Sequence, residues 1–420
     1  MRILRIVLVI WLLTSVLSVW AQRDSLHLGL RQADSLLVVR NLDLIATQYQ
    51  LEASRARVVQ ARLLHNPELN TEWFLFDPAT SDYFNVGPSG QKVISLEQVI
   101  HLAGQRNARA KVAAEGVKMS EWQYYEVARA VVHELHLNYF TLYFLNNTLR
   151  TLRNHERILS DIVEVYQEQF AKNNVSLREL TRLKSTLFDL INHINQVQKE
   201  ALDAEHTVSM LLAESSVIIP KPLAPEVELP NSRELNLSEL IAKALEARPE
   251  IKYQQSYLKQ SELDMALQRK LALPDLKTGI LYDQAGSAVP NYWAVTAGVE
   301  IPLFNRNQGQ IKVAHWEMQR QGAYMRKLEA QIASEVERAY LHFQSLYQSF
   351  STIGTTFNQE LDQLSSGLVQ NYVEKNLSLL EFTDLFESYN RSFVELNNLK
   401  INLFNAYEEI NYVVGQMLYQ

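Results

Sequence analysis

The sequence predicts a mainly α-helical protein with a small β part, built from two copies of one unit. Proline is absent from two long stretches of the chain, which allows helices of unusual length. A six-residue segment returns 202 residues later, which indicates an internal duplication. Short alternating segments precede each long helical stretch. Each copy is therefore expected to contain a helix, a β-hairpin, a long helix and a coiled-coil return helix.

Residues 1–21 have the layout of a cleavable secretory signal. Arg2 and Arg5 precede an apolar run that ends in small residues at Ala21. We expect the chain to leave the cytosol and to be cut near Ala21. No later stretch reaches the roughly 18 apolar residues that a membrane-spanning helix needs, so any later membrane crossing is expected to use β-strands.

The composition argues against several classes of function. There is no cysteine, so neither a disulfide framework nor a thiolate metal site is expected. Without the signal, 38 basic residues face 47 acidic ones, a net charge of −9 with no basic run, which argues against nucleic acid as a partner. His133 and His136 lack zincin spacing, because position 137 is Leu137, so we expect them to lie on an ordinary helix face. We expect no enzyme, cofactor or metal site.

The chain from Arg106 to about Lys172 is expected to form one continuous helix. It contains no proline and one glycine, Gly116, and at about 1.5 Å per residue it would span on the order of 100 Å. Apolar residues then follow a three-and-four spacing on both sides of a polar interruption at residues 172–177. That spacing is typical of a coiled-coil seam, so the two arms are predicted to form an antiparallel hairpin.

The duplication fixes the predicted boundaries. Asn174–Glu179 and Asn376–Glu381 share four of six residues, which places a second turn at residues 374–379. The repeats are predicted at 22–212 and 236–420. A proline-rich linker at 213–235 is expected to be extended and exposed.

Two strand pairs are predicted, one in each repeat. The first lies within residues 68–100 (68–76 with 92–100) and the second within residues 275–302 (275–283 with 292–302). Each follows a predicted first helix, at about 24–64 and 236–271. Aromatic residues crowd the loop-side ends, as in an interfacial girdle: Trp73, Phe74, Phe76, Tyr83, Phe84, Tyr282, Tyr292 and Trp293. Four strands cannot close on themselves in lipid, so the chain is expected to oligomerise.

This order of elements resembles the TolC-like outer membrane factors over the whole mature chain. Ile301–Gly309, followed by Ile311 and Ala314, is similar to the strand-to-helix junction of their CzcC-like cation-efflux branch. The resemblance implies a TolC-like trimeric α/β-barrel in the outer membrane of a Gram-negative bacterium, with a long periplasmic helical tunnel. It also implies passive conduction of metal cations or small toxic molecules.

The resemblance implies partners as well: two further copies in a homotrimer, a periplasmic adaptor (membrane fusion) protein, an inner-membrane pump of the RND type, and outer-membrane lipid. The adaptor-contacting tips would be the two hairpin turns. Their residues are Asn173, Asn174, Ser176, Leu177, Lys375, Asn376, Ser378 and Leu379. The family usually has glycine at these turns. Here asparagine is expected to take the left-handed conformation.

Glu381 and Asp384 are the candidate lining of the periplasmic aperture. They are three residues apart on one helix face and match positions where the family places acidic residues. A threefold axis would make them rings, but a solvated acidic patch explains the pair equally well. In the first repeat Glu179 and Arg182 hold the matching positions, which permits an intersubunit or inter-repeat salt bridge to Asp384.

Three alternatives remain open at this point. A drug-efflux or type I secretion duct of the same fold is barely separable, because the pump chooses the cargo. A soluble periplasmic coiled-coil adaptor or stalk explains the helical hairpins but not the repeated strand pairs with aromatic ends. A periplasmic metal-binding enzyme would need clustered ligands.

Overall fold

The structure, a computed structural model, describes residues 25–77, 81–85, 87, 90–222, 235–285 and 289–416. The predicted signal and most of the proline-rich linker lie outside these residues. The chain divides into two compact units. The first, here the helical unit, is drawn from Met1–Ile45, Val127–Ala247 and Ala333–Gln420; the second, here the sheet unit, from Ala46–Glu126 and Arg248–Ile332.

The elements follow the predicted order in both repeats. The first repeat contains β1 Ser25–Leu28, α1 Leu30–Arg40, α2 Leu42–Ala61, β2 Glu68–Trp73, β3 Phe76–Asp77, β4 Asp82–Tyr83, β5 Lys92–Ile100, α3 Gln105–Ala171 and α4 Leu177–Leu211. The second contains β6 Val217–Pro220, α5 Leu237–Ala247, α6 Pro249–Leu271, β7 Leu276–Asp283, β8 Tyr292–Val299, α7 Gln308–Ser349, a π-helical turn Phe350–Gly354, α8 Thr355–Val373 and α9 Leu379–Val414.

The long helix of the first repeat is confirmed as one continuous element of 67 residues. Its predicted seam is buried within the helical unit: Leu142, Leu145, Leu149, Leu152, Leu159 and Val163 all belong to one core cluster. The return helix α4 contributes Leu183, Leu190, Ile194 and Val197 to the same cluster. The cluster also takes Phe382 and Phe386 from α9, so the second repeat shares the core of the first hairpin.

The first helix of each repeat is broken, where a single helix was predicted. Asn41 ends α1, and its side-chain oxygen accepts hydrogen bonds from the backbone N–H groups of Asp43 and Leu44, both at 3.0 Å, which caps the start of α2. In the second repeat Pro249 is the first residue of α6 and lacks the N–H that a continuous helix would need. A side-chain cap and a proline thus set the two breaks.

The sheet unit contains a four-stranded antiparallel sheet in the order β2-β5-β7-β8. Both predicted hairpins are confirmed, with Glu68 opposite Glu97 and Leu276 opposite Val299. The central contact joins the repeats, since β5 pairs with β7 over eight positions from Val93 to Ile100.

The linker was predicted to be extended and exposed. Its described part is extended at Val217–Pro220, but it is not exposed there. Within it β6 pairs in parallel with β1, and Ile218 is buried at 1 % exposure. The hydroxyl of Tyr139 on α3 donates to the backbone oxygen of Leu28 at 3.0 Å, which ties this small sheet to the long helix.

Within the described residues, no helix combines the length and apolarity needed to cross a membrane.

Candidate functional site at the hairpin turns

The two hairpin turns have the same backbone geometry, and both belong to the helical unit. Asn173 has φ 58° and Lys375 has φ 61°, so each turn contains one left-handed residue. The prediction of asparagine is right for the first turn and wrong for the second, where Lys375 rather than Asn376 takes this conformation. Asn376 instead lies one position later, where the chain is already leaving the helix.

Both turns end the preceding helix with a Schellman motif. The backbone N–H of Asn174 donates to the oxygen of Gln169 at 2.9 Å, and that of Asn376 to the oxygen of Asn371 at 2.8 Å. The side chain of each asparagine donates a second hydrogen bond to the side chain of the same residue, at 2.7 Å to Gln169 Oε1 and at 3.3 Å to Asn371 Oδ1. The repeated asparagine is therefore explained by helix termination.

Both return helices begin with a capping box. Ser176 Oγ accepts from the backbone N–H of Glu179 at 3.3 Å, and Glu179 Oε2 accepts from the backbone N–H of Ser176 at 2.8 Å. Ser378 and Glu381 repeat these bonds at 3.3 and 2.9 Å. Hydrogen bonds from the serine backbone, then from its hydroxyl, lower the pKa of both glutamates. Both carboxylates are thus held by their own helix ends.

Arg182 on α4 connects the two repeats one turn beyond the caps. Its guanidinium forms an ion pair with Asp384 on α9, and its Nε donates to the hydroxyl of Thr383 at 2.7 Å. Thr383 is fully buried, whereas the side chains of Arg182 and Asp384 are 39 % and 60 % exposed. The inter-repeat ion pair that the sequence permitted is thus present within one chain. Arg182, Thr383 and Asp384 are called the latch below.

A second link follows one helical turn later. The hydroxyl of Thr186 donates to Glu387 Oε1 at 2.7 Å. Sequence reasoning missed Thr186, Thr383 and Glu387. One signal could have found them: the linked residues are 201 or 202 positions apart, close to the repeat offset, so the return helices α4 and α9 face each other at equivalent positions.

Aromatic residues support the turns from inside. The hydroxyls of Tyr166 and Tyr372 are 2.6 Å apart, and the ring of Tyr372 stacks on buried Phe382 with centroids 4.3 Å apart. Burial, and then the hydrogen bond from Tyr166, raise the pKa of Tyr372. The tips and the latch therefore rest on a packed aromatic base.

The structure separates the predicted aperture residues into two groups. Arg182 and Asp384 meet in the latch, whereas Glu179 and Glu381 are engaged in their own caps. Seven of the eight predicted tip residues are exposed, and Leu379 is partly buried against the core. Within the described ranges, no group of three or more His, Asp or Glu side chains is arranged so that it could hold a metal ion.

The chain contains two repeats, and each joins a strand pair to a long helical hairpin. The four strands form one sheet, and the latch joins the two return helices. This is the architecture of the TolC-like outer-membrane channels. Comparison with known proteins agrees. The family model of the outer membrane efflux protein matches residues 35–214 and 240–366. The chain belongs to this family.

Individual relatives place the chain further. It is 21 % identical over 304 residues to the cobalt-zinc-cadmium resistance protein CzcC of Cupriavidus metallidurans, covering 71 % of this chain and 68 % of that protein. Its fold matches CusC with a TM-score of 0.68 at 18 % identity, covering 92 % of each chain. It matches the outer-membrane channel CmeC of Campylobacter jejuni with a TM-score of 0.73 at 15 % identity, covering 92 % of this chain and 85 % of that one.

The protein is therefore an outer-membrane efflux channel of the kind found in tripartite systems, with a long periplasmic helical extension. The family and the fold are those of channels, not of enzymes. A soluble adaptor or stalk, one of the alternatives above, does not agree with this membership. Channels of this family form trimers and work with adaptors and inner-membrane pumps.

Proposed function

We propose that this protein is the exit duct of a cation-efflux system, passively conducting metal cations from a periplasmic adaptor and an inner-membrane RND pump to the exterior. The support for the cargo is the relative named for cobalt, zinc and cadmium resistance. The single observation that supports a gated duct is the latch of Arg182 on Thr383 and Asp384, close to the exposed hairpin turns.

The working unit proposed is a homotrimer. Strands β2 and β8 stand at the two ends of the sheet order, so each offers one unpaired edge among the described strands. An unpaired edge in lipid leaves backbone N–H and C=O groups without partners, at a cost of several kcal/mol per group. Three copies placed side by side would pair β8 of one copy with β2 of the next and satisfy those groups.

The hairpin turns are proposed as the docking surface for the adaptor. Schellman motifs and capping boxes fix the backbone geometry of the described tip residues in both repeats. A rigid and nearly duplicated pair of tips suits a partner that meets both in the same way. Leu177, which is 63 % exposed, supplies an apolar contact at the first tip.

The latch is proposed to hold the periplasmic end closed. Exposed ion pairs contribute only about 0–1 kcal/mol, so the Arg182–Asp384 pair alone is a weak lock. The bond from Arg182 Nε to the buried hydroxyl of Thr383 adds a charge-assisted hydrogen bond, worth roughly 1.5–3 kcal/mol where it is well shielded. A lock of this modest strength can be opened by an adaptor that competes for the same groups.

Single-channel conductance in planar bilayers tests the gate. We expect Arg182→Ala and Thr383→Val each to enlarge the conductance steps, because both remove the same charge-assisted bond. The double variant should resemble either single variant. Glu381→Gln is the matched control: it removes a nearby charge but keeps the acceptor of the capping box, so its conductance should stay near that of wild type. Unchanged steps in Arg182→Ala would reject the latch as the gate.

Selectivity tests the cargo separately. Reversal potentials in gradients of Co²⁺, Zn²⁺ or Cd²⁺ against K⁺ should indicate cation preference, and the Asp384→Asn variant should reduce it. Efflux in cells lacking their own exit channel distinguishes the nearest rival. Restored tolerance to these cations supports the proposal, whereas restored tolerance to organic drugs alone would assign the duct to a drug pump.

A further inference from the structure

A fully buried histidine joins three helices of the helical unit. His136, near the middle of α3, is 1 % exposed. Its Nε2 lies 2.8 Å from Asp34 Oδ1 on α1, and its Nδ1 lies 3.1 Å from Glu408 Oε2 on α9. Both ring nitrogens therefore face a carboxylate. The chain thus brings together residues near its beginning, in its middle and near its end.

Two of the three charged groups in this cluster, His136 and Glu408, have little access to water. Glu408 is 4 % exposed, and its second carboxylate oxygen accepts from Asn411 Nδ2 at 3.4 Å. Burial alone would lower the pKa of His136, but the hydrogen bonds to Asp34 and Glu408 outweigh it and raise the pKa to about 9. At neutral pH His136 is therefore a charged donor to two acceptors, which satisfies both nitrogens.

Further charged and aromatic side chains surround the cluster of Asp34, His136 and Glu408. On α3 itself, His133 Nε2 lies 3.1 Å from Glu409 Oε2 of α9, and its ring stacks on Tyr412. The guanidinium carbon of Arg129 lies 4.2 Å from the centroid of the Tyr412 ring. From α7, Arg338 Nη2 lies 3.9 Å from Glu409, and His342 also acts on that carboxylate. The cation from α7 therefore acts on Glu409, while the carboxylates nearest His136 are Asp34 and Glu408.

A cavity of about 240 Å³ lies against the cluster, lined by Val132, His133, His136, Glu408 and Tyr412 among others. Its size allows water to reach the buried histidine and exchange protons with it. The cluster can therefore titrate without unfolding of the helices around it.

Helix α9 is consequently held to the first repeat at both ends. Thr383 and Asp384, near its start, meet Arg182, and Glu408, near its end, meets His136. Glu408 comes 24 positions after Asp384, which corresponds to about 36 Å of helix. The ion pair of Arg182 and Asp384 is exposed to water, whereas His136 and Glu408 near the other end of α9 are buried.

We propose that Asp34, His136 and Glu408 form a proton-controlled anchor that fixes α1 and the end of α9 to α3, and that loss of the His136 proton releases it. A neutral imidazole can donate to only one of the two carboxylates, so the other would face a nitrogen lone pair in a buried site. The proposal concerns helix attachment and does not depend on the cargo or on the gate.

The direction of the pH effect follows from the charge. His136 has a folded pKa raised above its unfolded value of 6.5. Its contribution to stability is therefore complete below pH 6.5 and is lost as pH rises toward 9. Helix α1 should loosen before α9, because the side chain of Asp34 is 30 % exposed to competing water, against 5 % for Glu408.

Spin labelling of the full-length channel in lipid nanodiscs tests the anchor. The chain has no cysteine, so a single cysteine at Val39, an exposed position on α1, takes one label. We expect the mobile fraction of this label to rise with a midpoint near pH 9. The same label in Asp34→Asn, which removes one of the two charges, should show a midpoint at least one pH unit lower. A label at Leu202 on α4 should show no such step.

Two further variants complete the test. His136→Gln should leave the Val39 label mobile, with no midpoint between pH 6.5 and 10. His193→Gln, a replacement of the same type at an exposed site on α4, should keep the wild-type midpoint. If His136→Gln fails to fold, the midpoint of the Val39 label in Asp34→Asn is sufficient to test the anchor. An unshifted midpoint in Asp34→Asn, or a wild-type label that stays immobile up to pH 10, would overturn the anchor.

Discussion

The serine that starts α9 offers the sharpest test of the turn geometry. Ser378 Oγ accepts the backbone N–H of Glu381 at 3.3 Å and donates to its carboxylate at 2.7 Å. Replacing an N-cap serine by alanine costs about 1 kcal/mol, with a range of roughly 0.5–2. The long bond from the backbone and the exposure of the turn favour the lower half of that range. We therefore expect Ser378→Ala to cost about 0.5–1 kcal/mol.

The expected signal is local, because α9 has 36 residues and a packed core behind its first turn. A loss of about 0.5–1 kcal/mol corresponds to a roughly two- to fivefold loss of hydrogen-exchange protection, at about 1.4 kcal/mol per factor of ten. Mass spectrometry of peptides covering residues 378–384 measures it. Ser378→Thr, which keeps the cap, is the control. Equal protection in the alanine variant and in wild type would refute the capping argument.

Three other outcomes follow from single side chains. Lys375→Gly should stabilise the second turn by about 1 kcal/mol in chemical unfolding, because φ 61° is costly for lysine, whereas Asn376→Gly should give no gain. Burial lowers the pKa of His155, so the unfolding free energy of wild type should decrease as the pH is lowered from 6.5. The decrease should be smaller in His155→Gln, and equal pH dependence of the two proteins would contradict this. Gly279→Ala should lower Tm, since its Cβ would lie 2.7 Å from the Leu96 carbonyl oxygen, whereas Gly298→Ala, with nothing within 4 Å, should not.

The elements were predictable because their signals are local. Absence of proline predicted a helix through residues 106–172, and the structure has it at Gln105–Ala171. The Asn-x-Ser-Leu-x-Glu segment predicted both turns, and the structure explains its asparagine, serine and glutamate as stop and start signals of helices. The position between an early proline and the long helix located β7 and β8 to within a few residues, and alternation supported β8. Breaks at Asn41 and before Pro249 were missed because a helical pattern continues on both sides.

The candidate site was only half predictable. The resemblance proposed four residues for the periplasmic aperture without ranking them: Glu179, Arg182, Glu381 and Asp384. Of these four, only Arg182 and Asp384 make a contact between repeats. A glutamate three residues after a serine at a helix start already has a local partner, and that rule separates the two groups. The assignment of His133 and His136 to an ordinary helix face was wrong. Both histidines contact carboxylates that lie more than 270 residues later in the chain.

By itself the sequence determined most of the helices and strands and the chemistry of the turns, because each depends on residues within a few positions of one another. The export segment stays a prediction. Only the tertiary structure decided that β5 pairs with β7, that Arg182 reaches Thr383 and Asp384, and that His136 lies between Asp34 and Glu408. These contacts join residues about 100 to 270 positions apart. The sequence separation of two residues does not predict their distance in space, because that distance depends on how the helices between them pack.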